Sequence, residues 1–132
     1  TAFLGILDLR TGHLRFASAG HNPPVVRRRG GETHWLAQSQ NIALAVFDGF
    51  DFVPGELVLG AGDILLMYSD GVTEATDAGG ALYGQDYLVE VVSAAAPDPA
   101  AMTQAVLESV RRFEQGAPQA DDITCIVVRY TP

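Results

Sequence analysis

Two short acidic segments carry the side chains best suited to chemistry. Asp70 follows a continuous apolar run at residues 64–68, with only Ser69 between them. Asp121 and Asp122 directly precede a second apolar run at residues 123–130. Apolar runs of this length, bounded by turn residues, predict buried strands. If the two strands are neighbours, the acids of both segments converge at one end of a sheet.

Converging carboxylates need a neutralising partner. Two carboxylates about 4 Å apart repel by about 4 kcal/mol at an effective dielectric constant of about 20. A shared proton, a nearby basic residue or a bound cation can offset this repulsion. Neither segment contains a basic residue or a histidine, which favours a hard ion such as Mg²⁺ or Mn²⁺. Two such ions activating a water hydrolyse phosphate esters. The alternative is that Asp70 and Gly71 form an ordinary Asp-Gly turn.

Composition restricts the class of protein. The chain has 132 residues, 48% of them hydrophobic, which predicts one folded domain over residues 1–132. A net charge of −8 argues against nucleic acid and against direct membrane contact, because both partners require a basic surface. The only basic cluster, at residues 27–29, is predicted to be solvated at a hairpin tip. Cys125 is the single cysteine, which indicates a reducing, cytoplasmic compartment.

The first half of the chain predicts antiparallel β structure. Residues 1–9 read as a strand, and the alternation at residues 13–18 predicts a second strand with one buried face. Gly30 and Gly31 mark another hairpin. Residues 42–47 predict a short strand or a buried loop. Pro54 interrupts the next strand and suggests an edge position.

The second half predicts helices and a final strand. Residues 72–75 predict a single helical turn, and residues 85–95 predict a helix with an apolar stripe. Asp98 as N-cap and Pro99 at the first helical position predict a second helix that ends at Gly116. The run at residues 123–130, apolar on both faces, predicts a central strand. The expected fold class is α+β.

Four motifs together resemble one known family. They are AGHNPP at residues 19–24, GDILLMYSDGVTEA at residues 62–75, YG at residues 83–84 and ADDIT at residues 120–124. In this order they are similar to the sporulation-type (RsbU/SpoIIE-like) branch of the metal-dependent, type 2C-like serine/threonine phosphatases. The resemblance covers essentially the whole chain.

The resemblance implies a fold, a reaction and partners. Members of that family form an antiparallel β-sandwich flanked by helices, bind two Mn²⁺ or Mg²⁺ ions, and hydrolyse phosphoserine or phosphothreonine by attack of a metal-bound water. Their usual substrates are phosphorylated anti-anti-sigma proteins of the STAS type. A sensor or receiver domain upstream in the same chain is implied as well.

The resemblance also assigns roles to individual residues. Asp70 and Asp121 match metal ligands, and Asp122 matches a position suited to hydrogen bonding around the metal rather than to direct ligation. Gly71 and Thr124 are expected to support the two turns. His21 and its neighbour Asn22 belong to the AGHN signature, where a role in locking the loop is favoured over contact with substrate.

The chain departs from the family in ways that limit what it does alone. Two further metal-binding aspartates of the family lie upstream of the segment where this chain begins. We therefore expect the C-terminal portion of a phosphatase domain, truncated at its N-terminus and inactive in isolation, with an exposed strand edge that favours homodimers. A non-catalytic pseudophosphatase that binds a STAS-like partner is the main alternative, and an unrelated acidic α+β domain is a third.

Overall fold

Two antiparallel sheets and a layer of helices make up the fold. The computed structural model describes residues 1–37, 41–119 and 121–132. The strands are β1 (Ala2–Leu7), β2 (His13–Ala19), β3 (Val25–Arg27), β4 (Thr33–Trp35), β5 (Gly55–Val58), β6 (Ile64–Tyr68) and β7 (Cys125–Arg129). The helices are α1 (Asp70–Thr73), α2 (Gly84–Ala94) and α3 (Pro99–Glu114). The predicted α+β sandwich with flanking helices is confirmed.

The small sheet has the order β1-β2-β5 and is built on the first predicted hairpin. Gly12, at φ 73°, closes the turn between β1 and β2, and its amide donates to the Asp8 carbonyl at 2.8 Å. Leu14, Phe16 and Ser18 are buried as the alternation predicts. β5 begins at Gly55, directly after Pro54, and lies at the sheet edge as expected.

The large sheet has the order β4-β3-β6-β7. The hairpin that joins β3 to β4 turns at Gly31. β6 is buried along almost its whole length, as its apolar run predicts. One face of the large sheet packs on the small sheet through side chains such as Val26 and Leu65. The other face packs on the helices through Val25 and Leu66. β6 therefore lies between two cores, and both of its ends are held rigidly.

Helices α2 and α3 cover the large sheet with their apolar stripes. Asp98 accepts a hydrogen bond from the Ala101 amide at 2.9 Å and Pro99 opens α3, as the N-cap prediction requires. Met102, Val106 and Val110 are fully buried against the sheet. No helix in the described ranges is long and apolar enough to cross a membrane.

The position of β7 in its sheet differs from the prediction. β7 is an edge strand that pairs only with β6 in the described part of the chain. Cys125 and Val127 pack against the helical core, whereas Ile126 is 52% exposed. Apolar residues on the two faces of a strand do not indicate whether another strand pairs with its edge. The prediction of a central strand was therefore wrong.

Two further predictions are corrected by long-range contacts. Residues 42–47 form neither a strand nor a buried loop but turns and bends, with Phe47 69% exposed. The arginines at the hairpin are not simply solvated. Arg27 donates to the Ala95 carbonyl at 2.7 Å, and Arg28 donates to the buried Asp63 carboxylate at 2.7 Å. These acceptors are remote in sequence, so local composition could not reveal them.

Candidate functional site

The pairing of β6 with β7 brings the two acidic segments together. The strands are antiparallel with Tyr68 opposite Cys125. The ladder continues beyond them, because the Ser69 amide donates to the Thr124 carbonyl at 2.9 Å. The prediction that these strands are neighbours is confirmed. Asp70 and the Asp121 turn therefore lie at the same end of the large sheet.

The Ser69 side chain joins the two turns. Its Oγ donates to the Asp122 carbonyl at 2.9 Å and accepts from the Thr124 amide at 2.9 Å. Ser69 is thus the residue that sequence reasoning missed. A small hydroxyl side chain at the end of a strand, directly before an exposed acid, was the available signal. Its partners could be identified only once the neighbouring strand was known.

Gly71 allows the backbones of the two turns to touch. A Cβ built at this position would lie 2.5 Å from the Asp122 carbonyl oxygen and 3.2 Å from that of Asp121. Separations below about 3 Å to backbone atoms are not tolerated without movement. A residue with a side chain at this position would therefore push the two turns apart.

Asp70 begins helix α1, two residues earlier than the helical turn predicted at residues 72–75. The difference arises because Ser69 adopts an extended conformation and takes the N-cap position, although its side chain bonds to the other turn instead of capping. The Asp70 side chain is exposed, and its Oδ1 accepts from the Gly71 amide at 3.0 Å. Backbone atoms therefore orient this carboxylate while leaving it accessible.

Asp121 and Asp122 are also exposed. Asp121 Oδ1 accepts from the Asp122 amide at 2.7 Å, and the Asp121 carbonyl accepts from the Gln119 side chain at 2.7 Å. The contact of Asp122 with the neighbouring turn is made by its main-chain carbonyl. Its predicted role as a hydrogen-bonding residue around a metal remains a prediction, as do the ligand roles of Asp70 and Asp121.

The charges at this site suit a hard cation, but the number of ligands is smaller than a complete site needs. None of the ion pairs formed by the described residues includes Asp70, Asp121 or Asp122. Exposed carboxylate oxygens without a basic partner are the donors that Mg²⁺ and Mn²⁺ prefer. Within the described ranges, however, no three His, Cys, Asp or Glu side chains converge closely enough to hold a metal ion. The two turns therefore provide fewer ligands than a complete site requires.

His21 and Asn22 lie on the loop between β2 and β3, and both are partly buried. Burial and the Thr1 ammonium lower the pKa of His21, whereas the Asp70 carboxylate acts in the opposite direction. The His21 Nδ1 lies 3.5 Å from the Thr1 Oγ1. The role of His21 and Asn22 in locking this loop stays a prediction.

The YG motif fixes the segment that follows α1. The Tyr83 amide donates to the Ala75 carbonyl at 2.8 Å, and the buried Tyr83 hydroxyl donates to Ser109 Oγ at 3.0 Å. Gly84 has φ 78°, a conformation that favours glycine. This motif therefore anchors α1 to the helical layer and contributes no reactive group to the site.

Comparison with known proteins identifies the family. The family model of the stage II sporulation protein E (SpoIIE) matches residues 1–131. The chain belongs to the SpoIIE family. This assignment places the chain among the RsbU/SpoIIE-like, PP2C-type phosphatase domains, as the four motifs predict.

Individual relatives agree with this assignment. The chain is 29% identical to protein IcfG of Synechocystis over 128 residues, which is 97% of this chain and 20% of IcfG. It is 25% identical to the phosphoserine phosphatase RsbU of Bacillus subtilis over 129 residues, which is 98% of this chain and 38% of RsbU.

Solved structures show the same fold. The phosphatase domain of SpoIIE from B. subtilis, presoaked with Mn, matches with a TM-score of 0.78 and 26% identity over 99% of this chain and 56% of that chain. The chain therefore spans between a fifth and three fifths of the length of these relatives.

Proposed function

We propose that this chain contributes two acidic turns to a Mn²⁺- or Mg²⁺-dependent phosphatase that acts on phosphoserine or phosphothreonine. The observation that carries the proposal is the contact between the Asp70 turn and the Asp121 turn at the exposed end of β6 and β7. Membership in a phosphatase family and similarity to a domain presoaked with Mn support the same reaction. RsbU, a relative, is a phosphoserine phosphatase.

Each residue has a distinct part in this proposal. Asp70 and Asp121 hold the metal through their exposed carboxylates. Bound hard cations activate a water and offset the charge of the phosphate ester. Ser69 and Gly71 fix the distance between the two turns through main-chain contacts. Preorganisation of this kind keeps the acids in place before any ion or substrate arrives.

The site is proposed to be completed by residues outside this chain. A two-ion site needs more anionic oxygens than two turns supply, because hard cations keep their waters unless several ligands compete for them. We therefore propose that residues 1–132 are the C-terminal portion of a longer phosphatase domain. In isolation the chain is expected to bind Mn²⁺ weakly and to release no phosphate. Micromolar Mn²⁺ binding in a calorimetric titration of the isolated chain would contradict the proposal that this chain supplies only part of the metal site.

The substrate and partners are proposed from the family. A phosphorylated STAS-type anti-anti-sigma protein is the proposed substrate, and a sensor or receiver domain upstream in the same chain is the proposed regulator. A homodimer formed by pairing of strands at a sheet edge is proposed as well.

The decisive experiment changes Asp70 in the native-length protein. Asp70→Asn removes one charge at nearly constant volume, and it should reduce Mn²⁺-dependent phosphate release from a phosphoserine STAS domain by more than about 100-fold, since even residues around a metal's ligands contribute about 10- to 100-fold. Glu108→Gln makes the same change of charge on the exposed face of α3 and should leave the rate unchanged.

Two results would count against the proposal. Asp70→Asn with full Mn²⁺-dependent turnover per folded molecule would exclude Asp70 as a ligand. A native-length protein that binds the STAS domain but shows no turnover with any divalent ion would instead support the pseudophosphatase alternative.

A further inference from the structure

Basic residues are concentrated at one end of the large sheet. The chain carries 8 lysine and arginine residues against 16 acidic residues. Four of the basic residues, at positions 27–29 and 129, lie at the end of β6 opposite to Asp70. This follows from the register, because Ile64, the first residue of β6, pairs with Arg27 on one side and with Arg129 on the other. An acidic molecule thus has a locally basic end.

Two of these arginines are used by the fold. Arg27 donates to the Ala95 carbonyl at 2.7 Å, and Arg28 donates to the Asp63 carboxylate at 2.7 Å. Asp63 is the buried acid of this end, and it also accepts from two main-chain amides at 2.8 Å. Because this carboxylate already has these donors, it does not neutralise a further guanidinium.

The side chains of Arg29 and Arg129 have no such acceptor. Within the part of the chain that the structure describes, no ion pair or hydrogen bond includes either guanidinium. Both side chains instead line one pocket of about 270 Å³, together with Ala61, Gly62, Thr131 and Pro132. None of these lining residues has an acidic side chain. Two positive charges therefore face a shared space whose lining supplies no negative side chain.

The turn at Gly62 joins the two arginines. A Cβ built at Gly62 would lie 3.2 Å from Cδ and 3.3 Å from Cγ of Arg29, so the aliphatic part of this side chain lies directly against the turn. The Gly62 amide donates to the Tyr130 carbonyl at 2.8 Å, which ties the same turn to the residue after Arg129. Gly62 has φ 91°, a conformation that favours glycine. The backbone beneath both arginines is therefore held together by direct contacts.

The residues of this pocket suit a phosphate group. A guanidinium presents planar N–H donors that match the oxygens of a phosphate or a carboxylate, and such charge-assisted hydrogen bonds are stronger than neutral ones. Thr131 adds a hydroxyl group, and a third donor suits the several oxygens of a phosphate better than the two oxygens of a carboxylate. The volume is below the roughly 300–1,000 Å³ of pockets that hold drug-sized ligands, which favours a small anion.

We propose that Arg29 and Arg129 form a binding site for a phosphate group, either inorganic phosphate or the phosphate of a small ester. The two guanidinium groups bind the phosphate oxygens, and the Thr131 hydroxyl donates to a further oxygen. β6 has 5 residues, so this site lies about 16 Å or more from the acidic turns at about 3.3 Å per residue. It needs no metal ion, and it does not depend on the proposed function.

The test measures binding of inorganic phosphate to the native-length protein by calorimetry, in a buffer freed of metal ions so that the acidic turns hold none. Arg29→Ala and Arg129→Ala should each weaken phosphate binding by about 10- to 100-fold, because each removes charge-assisted hydrogen bonds. Arg29→Lys should recover part of the affinity, since lysine keeps the charge but not the planar donors. Arg111→Ala is the matched control, because Arg111 is also exposed but lies in the last turn of α3 and lines no part of this pocket.

Four results would overturn the proposal. Wild-type protein that binds no phosphate at millimolar concentration has no such site. Wild-type affinity in both alanine variants, folded by circular dichroism, would place the phosphate elsewhere. A loss in Arg111→Ala as large as that in Arg29→Ala would indicate a general effect of charge, and equal affinity for acetate would indicate a carboxylate site.

Glycerol phosphate distinguishes the two sources of the phosphate group. Binding with an affinity similar to that of inorganic phosphate, and lost in the same two alanine variants, supports a small ester as the ligand. Exclusion of glycerol phosphate, with inorganic phosphate still bound, supports inorganic phosphate.

Discussion

The two ends of β6 present the same residue type in opposite environments. Asp63 precedes the strand and is only 5% exposed, whereas Asp70 follows it and is exposed. Asp63 accepts hydrogen bonds from Arg28 at 2.7 Å, from the Arg29 amide at 2.8 Å and from the Gly60 amide at 2.8 Å. The Asp70 carboxylate accepts a hydrogen bond from the amide of its own neighbour Gly71 at 3.0 Å.

This contrast distinguishes an acid that stabilises the fold from an acid that is available for chemistry. Asp63 connects the β3–β4 hairpin to the turn before β6, and its charge is compensated by Arg28. Asp70 is placed by backbone contacts, and its carboxylate keeps the capacity to bind an ion. The single strand β6 holds both because its two buried faces make it rigid along its length.

The largest expected effect comes from Asp63→Asn. Loss of the charge breaks the ion pair with Arg28, and the new amide group directs N–H donors toward backbone N–H donors. We expect the free energy of unfolding to fall by about 2–4 kcal/mol. Urea denaturation measures this value. Asp70→Asn is the matched control and should change stability by less than about 0.5 kcal/mol, as for other exposed positions. Equal losses at both positions would remove the contrast.

A smaller effect is expected from the glycines next to these acids. Gly71→Ala places a methyl group against the backbone of Asp121 and Asp122, so the two turns must separate at a cost of about 1–3 kcal/mol. At Gly60 the added Cβ would meet the Asp63 carboxylate at an ordinary 3.5 Å. Gly60→Ala should therefore be tolerated.

Thermal unfolding and Mn²⁺ titration of both glycine variants check this pair. Gly71→Ala should lose stability and metal affinity together, because the same contact sets both. A Gly71→Ala protein with wild-type stability would mean that the turns are not in contact at this point.

The smallest effect is expected from mild acid. Burial alone would raise the pKa of Asp63, but the hydrogen bonds from Arg28, Arg29 and Gly60 and the charge of Arg28 lower it below its ordinary value. A lowered pKa in the folded state stabilises the protein at pH values above the unfolded pKa of about 3.9. This contribution is lost as the pH falls through the lower folded pKa.

Urea unfolding at pH 6 and at pH 3 measures this contribution of Asp63 to the free energy of unfolding. The difference in stability between wild type and Asp63→Asn should shrink at pH 3, because this pH lies below the unfolded pKa of about 3.9 and the unfolded wild type then binds a proton at this carboxyl group more readily than the folded protein does. A difference that grows on acidification would contradict the direction of the shift.

Local patterns in the sequence were sufficient for most elements of secondary structure. The alternation of Leu14, Phe16 and Ser18 predicts a half-buried strand because side chains of a strand point to opposite faces. Asp98 and Pro99 predict the start of α3 because unpaired amides at a helix start need an acceptor and a fixed φ. The acidic segment at Asp70 was recognisable for a similar reason, since an acid that closely follows an apolar run stands at the end of a strand.

Long-range contacts decided the rest. The edge position of β7, the partner of Arg28 and the bonds of Ser69 all depend on which segments lie side by side, and this follows from packing over the whole chain. The sequence by itself determined which residues could do chemistry. Tertiary structure decided which of them meet, because only the pairing of β6 with β7 brings the Asp70 and Asp121 turns to one end of the sheet.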